Sequence, residues 1–266
     1  MLSVCATPIG NLEDVTLRVL QELAEADLVL CEDTRHTRKL LERHGIRARV
    51  LSYHQHNEAR RTAELLPRLE AGEHIALVSD SGLPGISDPG ERLVAAALEA
   101  GVEVTVLPGP SAVETALVAS GLVGDVGYQF LGYLPRGERA LLALGEELAR
   151  RPWPLVAFES PQRLAATLGV LARVIPDRPA AVCRELTKRF EEVARGTVSE
   201  LARCFEGGAK GEITFVLGAG VAEPDEAEAA EAVAELLEAG VPRRQAADVV
   251  ARLTRVPRNR LYNTSL

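Results

Sequence analysis

The sequence predicts an α/β fold: two α/β domains followed by a small helical domain. Three observations carry this prediction. Short apolar runs alternate with amphipathic stretches through residues 1–110, the pattern of a mainly parallel sheet covered by helices. A second set of strand-like runs begins at Tyr128, and its last members look more antiparallel. Residues 224–266 hold no strand pattern and read as helices.

In the first domain, residues 1–110, the strand candidates are Leu2–Ala6, Leu28–Cys31, Arg49–Tyr53, His74–Val78 and Val102–Leu107. Leu17, Leu20, Leu23 and Ala24 recur at helical spacing between the first two, and Ala63, Leu65, Leu66 and Leu69 do so between the third and fourth. Gly72 and Gly101 each fall just before a strand, where a helix would be capped. Residues 111–127 read as a linking helix and a glycine-rich turn. The second domain, residues 128–220, has strand candidates Tyr128–Leu134, Leu155–Glu159, Ala181–Glu185, Glu192–Gly196 and Ile213–Leu217. The tail opens on Glu223–Glu238, which carries seven acids and no base around Val233, Leu236 and Leu237. GVPRRQAADVVARLTRVPRNRLY then reads as helix, turn, helix, with Ala246, Val250 and Leu253 inside.

The chain has 266 residues, of which 47% are hydrophobic, enough for a substantial core. No uncharged run exceeds twelve residues, which excludes a transmembrane helix, and MLSVCATPIGN has the wrong make-up for a signal peptide. Cys5, Cys31, Cys183 and Cys204 form no CxxC pair and read as reduced core residues of a cytoplasmic protein. The net charge is −8, but it is unevenly spread. Residues 35–61 carry a net of +6 and residues 243–260 a net of +5, which leaves −19 on the rest. Such segregation points to a polyanionic partner, although either cluster alone could be a solvated helix face.

The most informative stretch is VSDSGLPGISDPG, residues 78–90, at the end of the strand His74–Val78. Ligands of open α/β sheets bind outside the carboxyl ends of strands. No GxxxxGK[ST] is present, and no GxGxxG follows the first strand, so neither a P-loop nor the usual dinucleotide fingerprint is available. SYHQHN, His36 and His44 lack zinc-ligand spacing, so no metal is expected. The remaining chemistry is a neutral-to-cationic ligand held by closely approaching backbone, with Asp80 at the strand end accepting from hydroxyls or an ammonium. PGPSAVETA, residues 108–116, follows another strand, and its Ser111 could cap the next helix or donate to a ligand.

ATPIGNLEDVTLRVL, ADLVLCEDTRHTRKLL, SYHQHN, VSDSGLPGISDPG, PGPSA, GYLPR, FESPQR and CRELTKRFEEVARGT occur in this order. Together they resemble the ribosomal small-subunit RNA cytidine 2′-O-methyltransferases of the tetrapyrrole-methylase superfamily. The resemblance covers residues 1 to about 220, and the arginine-rich tail is similar to that subfamily's extra helical domain. A porphyrin-type methylase is the main alternative; the absence of a GPGDP turn after the first strand speaks against it. A non-catalytic RNA-binding assembly protein is the other. The resemblance implies an S-adenosylmethionine cleft between two α/β domains, a ribosomal RNA substrate and a homodimer. It places the cofactor against Pro8, Asp80, Gly82, Leu83, Ser111, Ala112, Phe158 and Leu186. Asp33 and Glu185 are candidate general bases for the 2′-hydroxyl, although each could instead pair with Arg35, Arg184 or Lys188. Glu159 is expected to orient Arg163. The expected RNA contacts are Arg35, Arg38, Lys39, Arg60 and Arg61, with Arg243, Arg244, Arg255 and Arg258 in the tail.

Overall fold

The computed structural model describes residues 1–125, 127–220, 226–254 and 256–264, without the side chains of 263 and 264. Two compact units are formed, one by residues 1–146 with 153–219 and one by 147–152 with 220–266.

The larger unit has two lobes, each built on a five-stranded sheet. In the first lobe the chain runs β1 (Leu2–Cys5), α1 (Leu17–Glu25), β2 (Leu28–Cys31), α2 (Thr34–Arg43), β3 (Val50–Ser52), α3 (Glu58–Glu70), β4 (Ile75–Val78), α4 (Glu91–Glu99) and β5 (Val104–Leu107). Its strands are all parallel, in the order β3-β2-β4-β1-β5. The central strands β1, β2 and β4 are buried along their whole length, which is why β2 and β4 run apolar without alternation; β1 buries one polar residue, Ser3, whose hydroxyl donates to the Glu22 carboxylate. One side of the sheet packs Leu2, Leu30, Leu77 and Leu93, and the other packs Val19, Leu23, Val29 and Leu40. Leu17, expected on the buried face of α1, is instead exposed; Val19 and Leu23 carry that face.

Helix α5 (Ala112–Ser120) follows β5 but packs against the second sheet. That lobe comprises β6 (Gln129–Tyr133), α6 (Glu138–Ala149), β7 (Leu155–Glu159), α7 (Leu164–Leu171), β8 (Pro179–Arg184), β9 (Glu192–Thr197), α8 (Val198–Cys204) and β10 (Ile213–Leu217). The sheet order is β6-β7-β10-β8-β9, with β6 and β7 parallel and the remaining pairs antiparallel. Its core joins Val113, Ala116 and Leu117 of α5 to Val156, Ala181, Cys183 and Val216. Ile9, from the loop after β1, is inserted into the same cluster and ties the two lobes together.

The smaller unit holds α9 (Glu226–Glu238), α10 (Arg243–Thr254) and α11 (Arg258–Thr264). Ala229, Val233, Ala246, Ala247, Val250, Val256 and Leu261 form its core. Leu253, expected inside, is 74% exposed: the buried stripe of α10 runs through Ala246, Ala247 and Val250, so Leu253 lies past its edge. The cysteines divide as well. Burial pushes the Cys5 thiol up to about 12 and those of Cys31 and Cys183 to about 11, which makes them inert packing groups. Cys204, also expected in the core, is exposed at the end of α8. Among the described residues no helix is long and apolar enough to cross a membrane.

Candidate active site

The carboxyl ends of β4, β1 and β5 lie side by side, and the loops that leave them are joined to one another. Thr7 N–H donates to the Gly82 carbonyl at 2.8 Å, and Gly82 N–H returns a bond to the Thr7 carbonyl at 3.1 Å. The hydroxyls of Thr7 and Ser79 donate to the Ser79 and Gly82 carbonyls respectively, each at 3.0 Å. Gly82 has φ +81°, a conformation open to glycine at little cost. At Gly109 a Cβ would stand 2.9 Å from the Ala6 Cβ, so the loop after β5 lies against the loop after β1 only because this residue is glycine. The punctuation of VSDSGLPGISDPG and PGPSA thus builds one rigid ledge.

A cavity of about 470 Å³ opens between this ledge and the strand ends of the second lobe. Asp80, Gly82, Leu83, Ser111 and Ala112 line it on one side, and Phe158 and Leu186 on the other. Seven of the eight residues expected at the cofactor are therefore brought together. Pro8 is not among the lining residues; it borders a small adjoining recess with Thr7, His36 and Asp80. Sequence reading missed Ile9, Ser87, Asp88 and Tyr133, which also line the cavity. Phe158 is held edge-to-face between Phe130 and Tyr133, with ring centroids at 5.1 and 5.7 Å.

Ser111 starts α5 without its side chain capping the helix; its hydroxyl donates to the Glu114 carboxylate, which also accepts from Tyr128. Asp80 accepts the backbone N–H of Asp33 at 3.1 Å, so the strand-end carboxylate also fixes the start of α2. Glu159 is buried and accepts from Thr167 at 2.6 Å and from Arg163 at 3.1 Å, as expected of a residue that orients Arg163.

The two expected bases lie outside the cavity lining. Asp33 caps α2 by accepting from Arg35 N–H at 2.8 Å, and its carboxylate pairs with the Arg35 guanidinium at 2.7 Å. Hydrogen bonds from Arg35 hold its carboxyl well below the usual range. Glu185, at φ +52°, accepts from Glu212 N–H and Lys188 Nζ, both at 2.9 Å. Those two bonds hold its carboxyl below its ordinary value as well. Each forms the cation pair that sequence reading set against a catalytic role, and a carboxylate so stabilised is a weak base near neutrality. A very different carboxyl is Asp88, pushed up to about 6 by burial, with the charges of Glu32 and Asp80 adding to the effect.

The basic clusters lie largely at the surface, except that Arg61, expected to contact RNA, is mostly buried. Arg38 and Lys39 are exposed on α2. Arg35 pairs with Asp33, Arg60 and Arg61 with Glu64, and Arg258 with Asp248. Arg243 stacks over Tyr262 at 5.8 Å, and Arg244 is exposed on the same helix. Arg255 lies outside the described residues. Among the described residues no group of three His, Cys, Asp or Glu side chains is placed to hold a metal ion.

A ledge of interlocked strand-end loops facing a second mixed sheet across a cavity defines a class. Residues 1–202 match the Tetrapyrrole (Corrin/Porphyrin) Methylases, and the chain belongs to that family. Residues 223–266 match the RsmI C-terminal HTH domain. Solved structures of the same fold include a uroporphyrin-III C-methyltransferase from Thermus thermophilus complexed with S-adenosylhomocysteine, with a TM-score of 0.57 and 21% identity over 82% of this chain and 96% of that one. The methyltransferase CobJ has a TM-score of 0.61 and 20% identity over 82% and 93%. Much closer in sequence is the Ribosomal RNA small subunit methyltransferase I of Mesorhizobium japonicum, 44% identical over 100% of this chain and 91% of the relative. The protein of that name from Synechocystis is 42% identical over 100% and 97%. The chain therefore stands in the ribosomal RNA small subunit methyltransferase I branch of the family.

Proposed function

We propose that the chain transfers a methyl group from S-adenosylmethionine to the 2′-hydroxyl of a cytidine in small-subunit (16S) ribosomal RNA. The observation that carries this reading is the cavity, whose size and lining fit an adenosyl sulfonium. It falls within the roughly 300–1,000 Å³ of small-molecule sites. Leu83, Phe158 and Leu186 offer an apolar slot, Asp80 an acceptor for hydroxyls, and the backbone N–H groups at the start of α5 donors for a carboxylate.

Bound there, the cofactor would supply a methyl group on a sulfonium centre. The protein's part is to fix the cofactor on the rigid ledge, exclude water with its apolar walls, and align an incoming hydroxyl. Alignment alone contributes several kcal/mol, of the order seen for well-oriented intramolecular reactions. Asp33 and Glu185 serve on this reading as positioning residues, the first for α2 and the second for the start of β10. Exposed cations on α2, α3 and α10 supply phosphate contacts, and the 2′-hydroxyl separates RNA from DNA. Action in the cytoplasm and a homodimeric state belong to the same proposal; light scattering of the purified chain tests the latter.

Ribose methylation mapped by mass spectrometry in ribosomal RNA, with and without the gene, tests the function. Loss of one 2′-O-methylcytidine, restored by adding the purified protein and S-adenosylmethionine to the unmethylated subunits, is the expected result. An unchanged methylation map would refute it.

A further inference from the structure

A second cavity, of about 560 Å³, adjoins the first. The two share only Ser87 and Asp88. A methyl-transfer site must bring donor and acceptor to one point, and two cavities with a shared wall place that point at the wall. Ser87 holds φ +63°, a left-handed conformation unusual for a residue with a Cβ. Such strain concentrates where a side chain must be aimed, and here it immediately precedes Asp88. The other two described non-glycine residues with positive φ, Glu185 and Thr187, flank Leu186 of the same site.

The second cavity is polar. Glu32, Gln55, Glu58, Glu91 and Arg92 line it, and Arg92 is drawn toward Glu58 at 3.7 Å. Acidic walls repel phosphate but accept from the amino groups of a base, the cytosine N4 amine among them. Cations that suit phosphate, Arg38 and Lys39, are exposed on α2, the helix that follows Glu32 in the chain. The cavity thus fits an extruded nucleoside whose flanking phosphates remain at the surface.

We propose that Asp88 is a catalytic residue of this site, the carboxylate that takes the proton of the attacking ribose hydroxyl, and that the second cavity holds the nucleoside bearing that hydroxyl. This rests on the RNA 2′-O-methylation reading. In the step, the hydroxyl oxygen forms a bond to the methyl carbon while its proton passes to the Asp88 carboxylate. The electron pair of the breaking carbon–sulfur bond stays on sulfur, which leaves as a neutral thioether. The charged groups around Asp88 favour a base poised near neutrality. Burial raises its proton affinity most, and Glu32 at the end of β2 and Asp80 at the end of β4 add to the effect. Glu58 from α3, and Glu91 and Arg92 from α4, border it in the second cavity. Glu159 and Glu212 line the first cavity from the other lobe, and His54 acts on Glu32.

The test is Asp88→Asn, with Asp88→Glu beside it, in the full-length protein on unmethylated small-subunit particles. Single-turnover methyl transfer by the wild type should rise with pH through an apparent pKa near 6. In Asp88→Asn the rate should fall at least about 100-fold, the usual contribution of a general base, and the rising limb should vanish. Asp88→Glu should recover part of both. S-adenosylhomocysteine should bind Asp88→Asn within about threefold of wild type. Folding has its own readout: a carboxyl whose folded pKa is raised penalises the folded state as pH climbs from about 4 to about 6, so Asp88→Asn should melt higher than wild type at pH 8 and not at pH 4. A wild-type rate with an Asp88→Asn rate within threefold of it, or an unchanged pH limb, overturns the proposal and leaves the function standing. A wild type that methylates no RNA overturns both.

Discussion

Asp80 does two jobs at once, and its loss should be felt in both. It lines the first cavity and accepts the Asp33 N–H that begins α2. Asp80→Ala is expected to weaken S-adenosylmethionine binding by about 1–3 kcal/mol, the cost of leaving hydrogen-bonding partners unmatched. Ser111→Ala should cost less, because that hydroxyl already has Glu114 as a partner. Calorimetry on both variants checks the order, and equal losses would contradict it. Glu185 makes a different prediction. Its carboxylate ties Lys188 to the backbone at the start of β10, and it folds over Gly211, where a Cβ would come within 2.5 Å of it. Because its folded pKa is lowered, the stability it contributes is fully present above the ordinary glutamate value and is lost as pH falls below that value through the lowered folded one. Glu185→Gln should therefore melt below wild type at pH 7, with the difference closing toward pH 3. Cofactor affinity should change little. A melting difference that persists unchanged at pH 3 would assign the stabilisation to something other than charge.

At the scale of elements, the loop after β1 sets the width of the cleft. Ile9 leaves the first lobe and is buried with Val113, Val156 and Leu186 of the second. Ile9→Ala should cost about 2–5 kcal/mol of stability, as buried Ile truncations do. It should also weaken S-adenosylmethionine binding, since Ile9 lines the cavity. A variant that loses stability but binds normally would show that the lobes hold their spacing without it. Most strands of both sheets were legible in the sequence for a physical reason: their residues are predominantly apolar, without interruption in Leu28–Cys31 and Ile75–Val78, although Glu192–Thr197 is largely polar. The ledge of strand-end loops was legible because tight loops at strand ends require specific residues, Gly82 and Gly109 among them. What could not be read was anything set by distant neighbours. Asp88 stands in the same conspicuous stretch as Asp80, yet its raised proton affinity depends first on burial by the folded chain and then on Glu32, far away in sequence. Nor could spacing say whether Ser111 would cap its helix or turn to Glu114, or whether Asp33 and Glu185 would find Arg35 and Lys188. The outward Leu17 and Leu253 failed for a related reason, since helical periodicity fixes a stripe but not which of its edges meets the neighbouring element.

At the scale of the molecule, charge is held apart: +6 in residues 35–61 and +5 in residues 243–260, on a remainder of −19. An acidic body needs no added cations for solubility, so the clusters are best explained by a polyanion. The structure narrows which residues to test. Arg60 and Arg61 share Glu64, and Arg258 has Asp248, so part of their charge is met within the protein. Arg38 and Lys39 are exposed on α2, the helix that begins where Asp80 holds Asp33. Replacing both by glutamine should weaken binding to small-subunit RNA and reduce the slope of log affinity against log salt by about 1 for each phosphate no longer neutralised. S-adenosylmethionine affinity should not move. The residues after Gly220 belong to a separate compact unit with its own core of Val233, Val250 and Leu261. Truncation there should leave a folded, cofactor-binding protein, because the cavity lining lies wholly within the larger unit. If the tail's arginines help to hold the ribosomal particle, the truncated protein should methylate it slowly at low enzyme concentration and recover as enzyme is raised. A loss of rate that saturating enzyme cannot restore would instead make the tail part of the catalytic step, and an undiminished rate at every concentration would remove it from substrate binding altogether.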